Sequence, residues 1–226
     1  MLREPAACCA VLAVVLGLVR PDIFFDDALP PVPHVVREPP GPPKEPTPWN
    51  STPPLFERQG PFNGENAVNL VDEGLTEWLG GAFSFMATVQ FLDGHKWSVI
   101  FGFALGYDLD TIEAGSIEKS CDLFFTVYKR DQALEIHVPN FFKIGAETTV
   151  LFTVSDAGTM SVYKDGQLVA EHVRGHAPNY VDRPHLMVGA HHVHKHMGFR
   201  GAIRDVKVWN QEVTWPKIKK LGKGRR

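Results

Sequence analysis

The fold of this chain is decided by residues 159–170, which read TMSVYKDGQLVA. Two short runs with β-branched and aromatic residues flank the Asp-Gly pair at 165–166. Such a pair between strand-like runs is the strongest short-range signal of a β-hairpin, because both turn residues need positive φ. The residues that a two-residue turn sets opposite each other are Tyr163 with Leu168 and Val162 with Val169. Both faces of the hairpin carry apolar residues, so this stretch does not indicate which face points into the core.

Strand-like runs continue on both sides of this hairpin. Residues 83–91 alternate apolar with smaller or polar side chains, the pattern of a strand with one buried face. Further runs lie at 97–104, 121–128, 133–138, 148–155, 185–190 and 199–209, separated by Gly, Asp and Asn. About ten strands without crossover helices predict an all-β fold, an antiparallel two-sheet jelly-roll β-sandwich over residues 56–215.

The N-terminal segments indicate export from the cytosol. Residues 1–20 are expected to be a signal peptide or signal anchor, because residues 6–19 carry no charge and a membrane span needs about 20 apolar residues. Residues 21–55 are expected to form a Pro-rich disordered stalk, since proline lacks the N–H that helices and sheets require. The domain is then secreted, or anchored with an extracellular or lumenal location. The triplet Asn50-Ser51-Thr52 predicts glycosylation at Asn50.

Charge restricts the class of partner. The chain has 23 Lys and Arg against 26 Asp and Glu, and residues 216–226 hold six of the basic residues and no acid. The rest therefore has 17 basic and 26 acidic residues, a net charge of −9. An acidic body repels phosphate, so nucleic acid is excluded as a partner. The basic tail, 216–226, is expected to be solvated, with contact to anionic lipid or sulfated glycan as the alternative.

Residues 148–209 resemble the second half of a laminin-G-like domain of the concanavalin A-like lectin/glucanase superfamily, which includes pentraxins. The resemblance is carried by residues 153–155, 158–170, 175, 177–178, 186–189 and 199–209, with the Asp-Gly hairpin and the Phe-x-Gly-x-Ile run at 199–203 as its most specific parts. It extends loosely over residues 63–215. It implies a sandwich that recognises glycans or protein partners without catalysis, on its concave sheet face or its rim.

The resemblance also implies a calcium site, because several laminin-G-like domains hold calcium at the rim. The matching positions here are Asp122 and the loop at 190–197. Calcium prefers carboxylate and other oxygen ligands. The loop has no carboxylate, so a calcium site would depend on Asp122 and on backbone carbonyl groups.

The loop at 190–197 contains four of the ten histidines, His191, His192, His194 and His196. In an extended loop His192, His194 and His196 share one face by two-residue alternation, where three imidazoles could bind zinc or copper. The alternative is a solvated loop whose histidines titrate independently. The four histidines, with Asp122 and Trp78, are the candidate ligand-binding residues. Trp78 is the tryptophan best placed to stack on a sugar ring.

A second function class follows from the spacing of three carboxylates. Asp108-Leu-Asp110-Thr-Ile-Glu113 resembles the Glu-x-Asp-x-x-Glu motif of endo-β-glucanases in the same superfamily. A retaining glycosidase needs two carboxyl groups about 5 to 5.5 Å apart, here Asp108 and Glu113. Asp in the first position shortens the reach of the nucleophile by a methylene, so non-catalytic recognition is the favoured prediction. A structural adhesion module that recognises protein alone is the third alternative.

Overall fold

A computed structural model describes residues 47–77, 79–93, 97–107, 109–118, 120–194 and 197–215. The predicted signal segment, the predicted stalk up to residue 46 and the basic tail lie outside the described residues. The strands are β1 (Thr47–Pro48), β2 (Phe56–Arg58), β3 (Val68–Asn69), β4 (Phe83–Phe91), β5 (Ser98–Ala104), β6 (Ile112–Ser116), β7 (Leu123–Lys129), β8 (Gln132–Val138), β9 (Glu147–Val154), β10 (Met160–Lys164), β11 (Gln167–His172), β12 (His185–Val188), β13 (Gly201–Trp209) and β14 (Val213–Thr214).

Twelve of these strands form two antiparallel sheets of six strands each, and β1 and β14 form a separate parallel pair. Sheet I has the order β11-β10-β9-β4-β13-β2, and sheet II has the order β3-β12-β5-β6-β7-β8. The predicted antiparallel β-sandwich is therefore confirmed. β6 was not among the predicted strands, because its residues were interpreted as a carboxylate motif. Among the described residues there is no helix with the length and apolar character that a membrane crossing requires.

Aromatic side chains join the two sheets in the core. Phe85 of sheet I stacks on Phe101 of sheet II with ring centroids 4.2 Å apart. Phe152 of sheet I meets the same Phe101 ring at 5.5 Å. All three side chains are fully buried, and burial of each contributes about 1.5–3 kcal/mol relative to exposure. The inner faces of both sheets thus form one core.

The outer face of sheet I is covered by a second, smaller apolar cluster. Its buried members are Met86, Leu151, Trp209 and Val213, with Tyr163 and Trp215 packed against them. The chain segments at both ends of the sandwich contribute to it, since β1 pairs with β14. The indole Nε1 of Trp209 donates to the carbonyl of Thr52 at 3.0 Å. Thr52, in the last part of the predicted stalk, therefore contacts the sandwich.

The Asp-Gly hairpin between β10 and β11 forms as predicted. Asp165 and Gly166 have φ values of 47° and 87°, and Tyr163 lies opposite Leu168. The second predicted pair is wrong, because Val162 lies opposite Ala170 instead of Val169. A β-bulge between Val162 and Tyr163 shifts the register. A bulge places two residues of one strand against one of its partner.

Candidate functional site

Strand alternation places a row of polar side chains on the outer face of sheet II. Glu113 of β6 lies opposite Thr126 of β7, and Thr126 lies opposite Glu135 of β8. Their sequence neighbours Ala114, Phe125 and Ile136 belong to the core. Since successive side chains of a strand point to opposite faces, the row Glu113–Thr126–Glu135 points outward. We call it the polar row.

Hydrogen bonding and packing fix the middle of the polar row. Thr126 Oγ1 donates to Glu135 Oε2 at 2.9 Å. Thr126 is buried, whereas Glu135 is exposed. On the same outer face Phe124 is covered by Trp97, whose ring meets it edge-on at 5.3 Å. The Glu135 carboxylate is therefore exposed, whereas the Thr126 hydroxyl and the Phe124 ring beside it are buried.

The histidine-rich loop lies over the Glu113 end of the polar row. His191 Nε2 is 3.6 Å from Glu113 Oε2, and only 6% and 9% of the two side chains are exposed. The other ring nitrogen, His191 Nδ1, accepts hydrogen bonds from the backbone N–H groups of Val193 and His194, each at 3.1 Å. Because Nδ1 is an acceptor, the ring proton of neutral His191 lies on Nε2 and points towards the Glu113 carboxylate.

These two bonds bend the loop, so residues 191–194 do not have the extended conformation that the zinc or copper hypothesis assumed. His191 and His194, three residues apart, stack with ring centroids 4.9 Å apart. His192 stacks on the His191 ring at 4.4 Å and lies 5.7 Å from the His185 ring. The rings of His185, His192, His191 and His194 therefore form a column. Residues 191–194 do not show the two-residue alternation of an extended loop. His196 lies outside the described residues.

His192 of this column has a strongly lowered pKa. Its Nε2 lies 3.0 Å from the carbonyl of Gly106, to which it donates in the neutral form. Burial lowers the pKa of His192 to about 4; His185 and His194 lower it further, while the Gly106 carbonyl opposes the shift. His192 is therefore neutral near pH 7. Its Nδ1 is buried and has no hydrogen-bond partner among the described residues.

The described side chains do not assemble a metal site. Within the ranges that the structure covers, no group of three or more His, Cys, Asp and Glu side chains is arranged to hold an ion. The predicted zinc or copper set of His192, His194 and His196 includes one residue outside those ranges. His192 Nε2 faces the Gly106 carbonyl, so the loop conformation described here does not present this nitrogen to a metal.

The predicted calcium ligand Asp122 holds a turn at the start of β7. Its Oδ1 accepts the backbone N–H of Asn140 at 2.7 Å, and its Oδ2 lies 3.2 Å from His137 Nε2. In the loop at 190–197, the carbonyl of His194 accepts the N–H of Met197 at 2.9 Å. One carboxylate bonded to donors does not provide the six to eight oxygens that calcium takes. Residues 195 and 196 of the loop lie outside the described residues, so calcium binding at this rim stays a prediction.

The carboxylates of the predicted glucanase motif do not share one strand. Asp110 lies in a turn with a φ of 48° and is 1% exposed. Its Oδ1 accepts the N–H of Arg130 at 3.0 Å and the amide of Asn179 at 2.7 Å. Only Glu113 lies on a strand, β6, and it faces the candidate surface. Asp108 lies outside the described residues, so the catalytic pair Asp108 and Glu113 stays a prediction.

A buried arginine lies beside this turn and was not identified from the sequence. Arg183 is 3% exposed and donates to three carbonyl groups, those of Asp110, Leu79 and Asn179. Burial lowers its pKa to about 10, and the nearby Asp110 carboxylate opposes the shift. Arg183 therefore joins three loops at one end of the sandwich. No motif marks such a residue, because its partners are backbone carbonyl groups, two of them distant in sequence.

Two further predicted residues have simple outcomes. Trp78 lies outside the described residues. Asn50 is exposed, in a 3₁₀ turn at Trp49–Ser51.

The sequence analysis did not identify Thr126, Glu135 and His137 as candidates. Alternation along the predicted strands 121–128 and 133–138 is the signal that places them together on one face.

Comparison with known proteins gives the family. A family model, Laminin_G_3 of the concanavalin A-like lectin/glucanases superfamily, matches residues 62–219. No curated protein matches the chain.

Solved structures with the same fold include sialidases and one of their binding modules. A Streptococcus pneumoniae NanB sialidase has a TM-score of 0.59 and 14% identity, over 72% of this chain and 27% of the sialidase. The Ruminococcus gnavus IT-sialidase CBM40 bound to α2,3-sialyllactose has a TM-score of 0.57 and 12% identity, over 71% of this chain and 95% of the module. The leech intramolecular trans-sialidase has a TM-score of 0.57 and 13% identity, over 71% and 26%.

The chain spans about a quarter of the two sialidases, and identities this low show the fold alone. The family match, however, covers more than half of the chain. The chain therefore belongs to the Laminin_G_3 family of the concanavalin A-like lectin/glucanases superfamily.

Proposed function

We propose that this chain is a non-catalytic recognition domain that binds glycans through the polar row on the outer face of sheet II. The observation that supports the proposal is the arrangement of Glu113, Thr126 and Glu135 in register across three strands. Carboxylate and hydroxyl oxygens are suited to accept and donate hydrogen bonds to sugar hydroxyls. The aromatic surface of Trp97 and Phe124 lies on the same face and supplies the apolar part of such a site.

The solved structures suggest the first ligand to test. The Ruminococcus gnavus CBM40 module, which shares the fold over 95% of its own length, was solved with α2,3-sialyllactose. A sialylated oligosaccharide is therefore the first probe, followed by neutral glycans. The negative charges of Glu113 and Glu135 repel an anionic sugar. We therefore expect this chain to bind neutral glycans in preference to sialylated ones.

A glycan array tests ligand class and metal dependence together. The protein is applied with calcium, with zinc and with chelator, and we expect binding to one class of glycan that chelator does not abolish. An array without binding in all three conditions would contradict the proposal and favour a protein partner, which is the adhesion alternative.

The site is then tested with two matched glutamates. Glu135 accepts a hydrogen bond from Thr126 on sheet II, and Glu171 accepts one from Ser161 on sheet I. We expect Glu135→Gln to weaken glycan binding about tenfold, as loss of about 1.4 kcal/mol implies. Glu171→Gln should leave binding unchanged. Equal effects of the two variants, measured by titration calorimetry, would exclude the polar row as the site.

The proposed location is extracellular or lumenal, with residues 1–20 as signal peptide or anchor and residues 21–55 as Pro-rich stalk. The support is the uncharged run at 6–19 and the proline content of the segment that follows. Expression in a secretory host tests it. We expect a peptide-N-glycosidase-sensitive increase in mass that Asn50→Gln removes. Failure of the protein to enter the secretory pathway would contradict the location.

The glycoside hydrolase alternative has its own test. Glu113 is the carboxylate of the motif that faces the candidate surface, beside His191. If the chain is a hydrolase, β-glucans release reducing sugar and Glu113→Gln abolishes the release. Absence of reducing sugar with a set of β-glucans to which the protein binds supports the non-catalytic proposal.

A further inference from the structure

The edge strand β11 is open to pairing. It forms hydrogen-bonded pairs with β10 and with no other described strand. The opposite edge of sheet I is β2, with three residues, and the edges of sheet II are β3, with two, and β8, with seven. β11 has six residues. An edge strand of this length presents a row of N–H and C=O groups that can pair with another chain.

β11 and the residue after it also carry exposed apolar surface. Leu168, Val169 and Val173 are 50%, 39% and 65% exposed, and they are three of the seven large hydrophobic side chains exposed among the described residues. Proteins commonly protect an edge with lysine, proline or inward-pointing charge. Between Gln167 and His172 the only charged side chain is Glu171.

The charges that flank β11 are self-complementary. Asp165 precedes the strand and Arg174 follows it, both exposed, and each lies the same number of residues from the point between Val169 and Ala170. In an antiparallel pair of two copies about that point, Asp165 of one copy lies opposite Arg174 of the other. Glu171 then lies opposite Leu168, so no like charges meet. This register also sets Val173 opposite Gly166, which lies beside the Trp215 side chain.

We propose that β11 is a self-association edge at which a second copy of this chain adds in antiparallel orientation, joining the two copies of sheet I into one twelve-stranded sheet. A two-fold axis between Val169 and Ala170 relates the copies. The interface is isologous, as most homodimer interfaces are. It lies at the edge of sheet I, so the polar row on sheet II plays no part in it. The inference is independent of the proposed function.

The interface is small, which sets the expected affinity. The proposed interface consists of one pair of six-residue strands, with three apolar side chains from each copy. Its buried area should be at or below the low end for specific interfaces, which is about 1,200 Å² in total. We therefore expect a reversible dimer with a dissociation constant of about 10–100 μM, weaker than an obligate dimer.

Sedimentation velocity of the full chain tests the proposal over a concentration series up to about 500 μM, well above the expected dissociation constant. We expect the weight-average sedimentation coefficient to rise from the monomer to the dimer value. Val169→Lys should shift the midpoint of this rise at least about tenfold towards higher concentration, as gatekeeper charges on edges do. Ile144→Lys is the matched control, because Ile144 is 62% exposed and distant in sequence from β11; it should leave the midpoint unchanged.

A charge variant gives a second, independent readout. Arg174→Asp sets Asp165 opposite an aspartate and should weaken the dimer, more strongly at low salt because the pair is exposed. Arg200→Asp, at another exposed arginine, should have no effect. A wild-type chain that stays monomeric throughout the series overturns the proposal. So does a dimer that Val169→Lys and Arg174→Asp leave intact while thermal denaturation shows both variants folded.

Discussion

A single imidazole sets the course of the histidine-rich loop. His191 Nδ1 accepts two consecutive backbone N–H groups, and this arrangement turns the chain in the way that an aspartate or asparagine side chain does. The Nε2 side of the same ring faces Glu113. One buried residue thereby connects the loop to the polar row. The histidine content of the loop left a metal site and a solvated loop open, and in the structure the first histidine, His191, forms a turn.

His192 makes the folded state sensitive to acid. Burial lowers its pKa to about 4 from the ordinary value of 6.5. Between these two values the unfolded chain binds a proton that the folded chain does not, so the free energy of unfolding falls as the pH decreases through this window. We expect this residue to account for a loss of about 3 kcal/mol between pH 7 and pH 4.

Urea titrations across this pH range, with His192→Phe, measure the contribution. The variant should lose less stability on acidification than the wild type, because it has no imidazole to protonate in the unfolded chain. His137→Phe is the control, since half of the His137 side chain is exposed. Identical pH dependence of wild type and His192→Phe would show that another group controls the acid response.

Arg183 is the buried polar residue whose loss should cost most. Arg183→Met removes the donors to the carbonyl groups of Leu79, Asp110 and Asn179 and leaves the Asp110 carboxylate without its nearest cation. Breaking a buried charge network in this way costs about 3–5 kcal/mol. Chemical denaturation measures the loss, and Arg200→Met, at an exposed arginine, should stay within about 0.5 kcal/mol of wild type. A similar small effect of Arg183→Met would show that its hydrogen bonds are replaced by water.

At the scale of the element, the strands were predictable where their alternation or apolar content was clear. Residues 83–91 were predicted as a strand and form β4 with the same bounds, and the Asp-Gly hairpin formed where its turn chemistry placed it. β6 was not predicted, because Glu113 and Gly115 interrupt its apolar run. All five residues of β6 are nevertheless buried, since β5, β7 and the histidine-rich loop surround it. The bulge opposite Val162 depends on tertiary packing and carries no local sequence signal.

The Asp-Gly hairpin also gives a test that separates backbone strain from steric clash. Gly166 and Gly74 both have positive φ, 87° and 100°. A Cβ on Gly166 would lie 2.8 Å from Trp215 Nε1, whereas one on Gly74 would have no neighbour within 4 Å. Gly74→Ala should therefore cost about 1 kcal/mol, the conformational term alone. Gly166→Ala should cost about 1–2 kcal/mol more, because Trp215 must move.

Equilibrium unfolding in urea measures both glycine variants under the same conditions. The tryptophan fluorescence of the folded Gly166→Ala protein should also differ from that of wild type, because the Trp215 ring lies beside the new methyl group. Equal destabilisation of the two variants would mean that the ring moves aside without cost.

At the scale of the whole molecule, the family and the two-sheet architecture could be predicted, but the position of the candidate site could not. The predicted candidates His191, His192 and His194 and the unpredicted Thr126 and Glu135 all lie on the sheet II side. They are far apart in sequence, and the pairing of β6, β7 and β8 brings them together. Sheet order decides which strands are neighbours, and one sequence read locally does not contain that order. Asp122 and Asp110 were chosen for their charge and prove to hold turns.

The segment before β2 belongs to the sandwich, and truncation tests this. A chain that begins at residue 47 keeps the Thr52 carbonyl bonded to Trp209 and the Leu55 N–H bonded to the Val208 carbonyl. A chain that begins at residue 56 loses these bonds and β1. We expect the shorter chain to be about 2–3 kcal/mol less stable in chemical denaturation. Equal stability of the two chains would place the domain boundary at residue 55, as the sequence predicted.

The parallel pairing of β1 with β14 brings the entry and the exit of the sandwich to one place, against the outer side of sheet I. A surface, a bead or a fusion partner attached just before β1 or just after β14 is therefore attached at the same place on the domain. The opposite sheet, with its row of oxygens and its imidazole column, faces away from both attachment points. Tethering by one end or by the other should consequently present the same side of the domain to a ligand in solution.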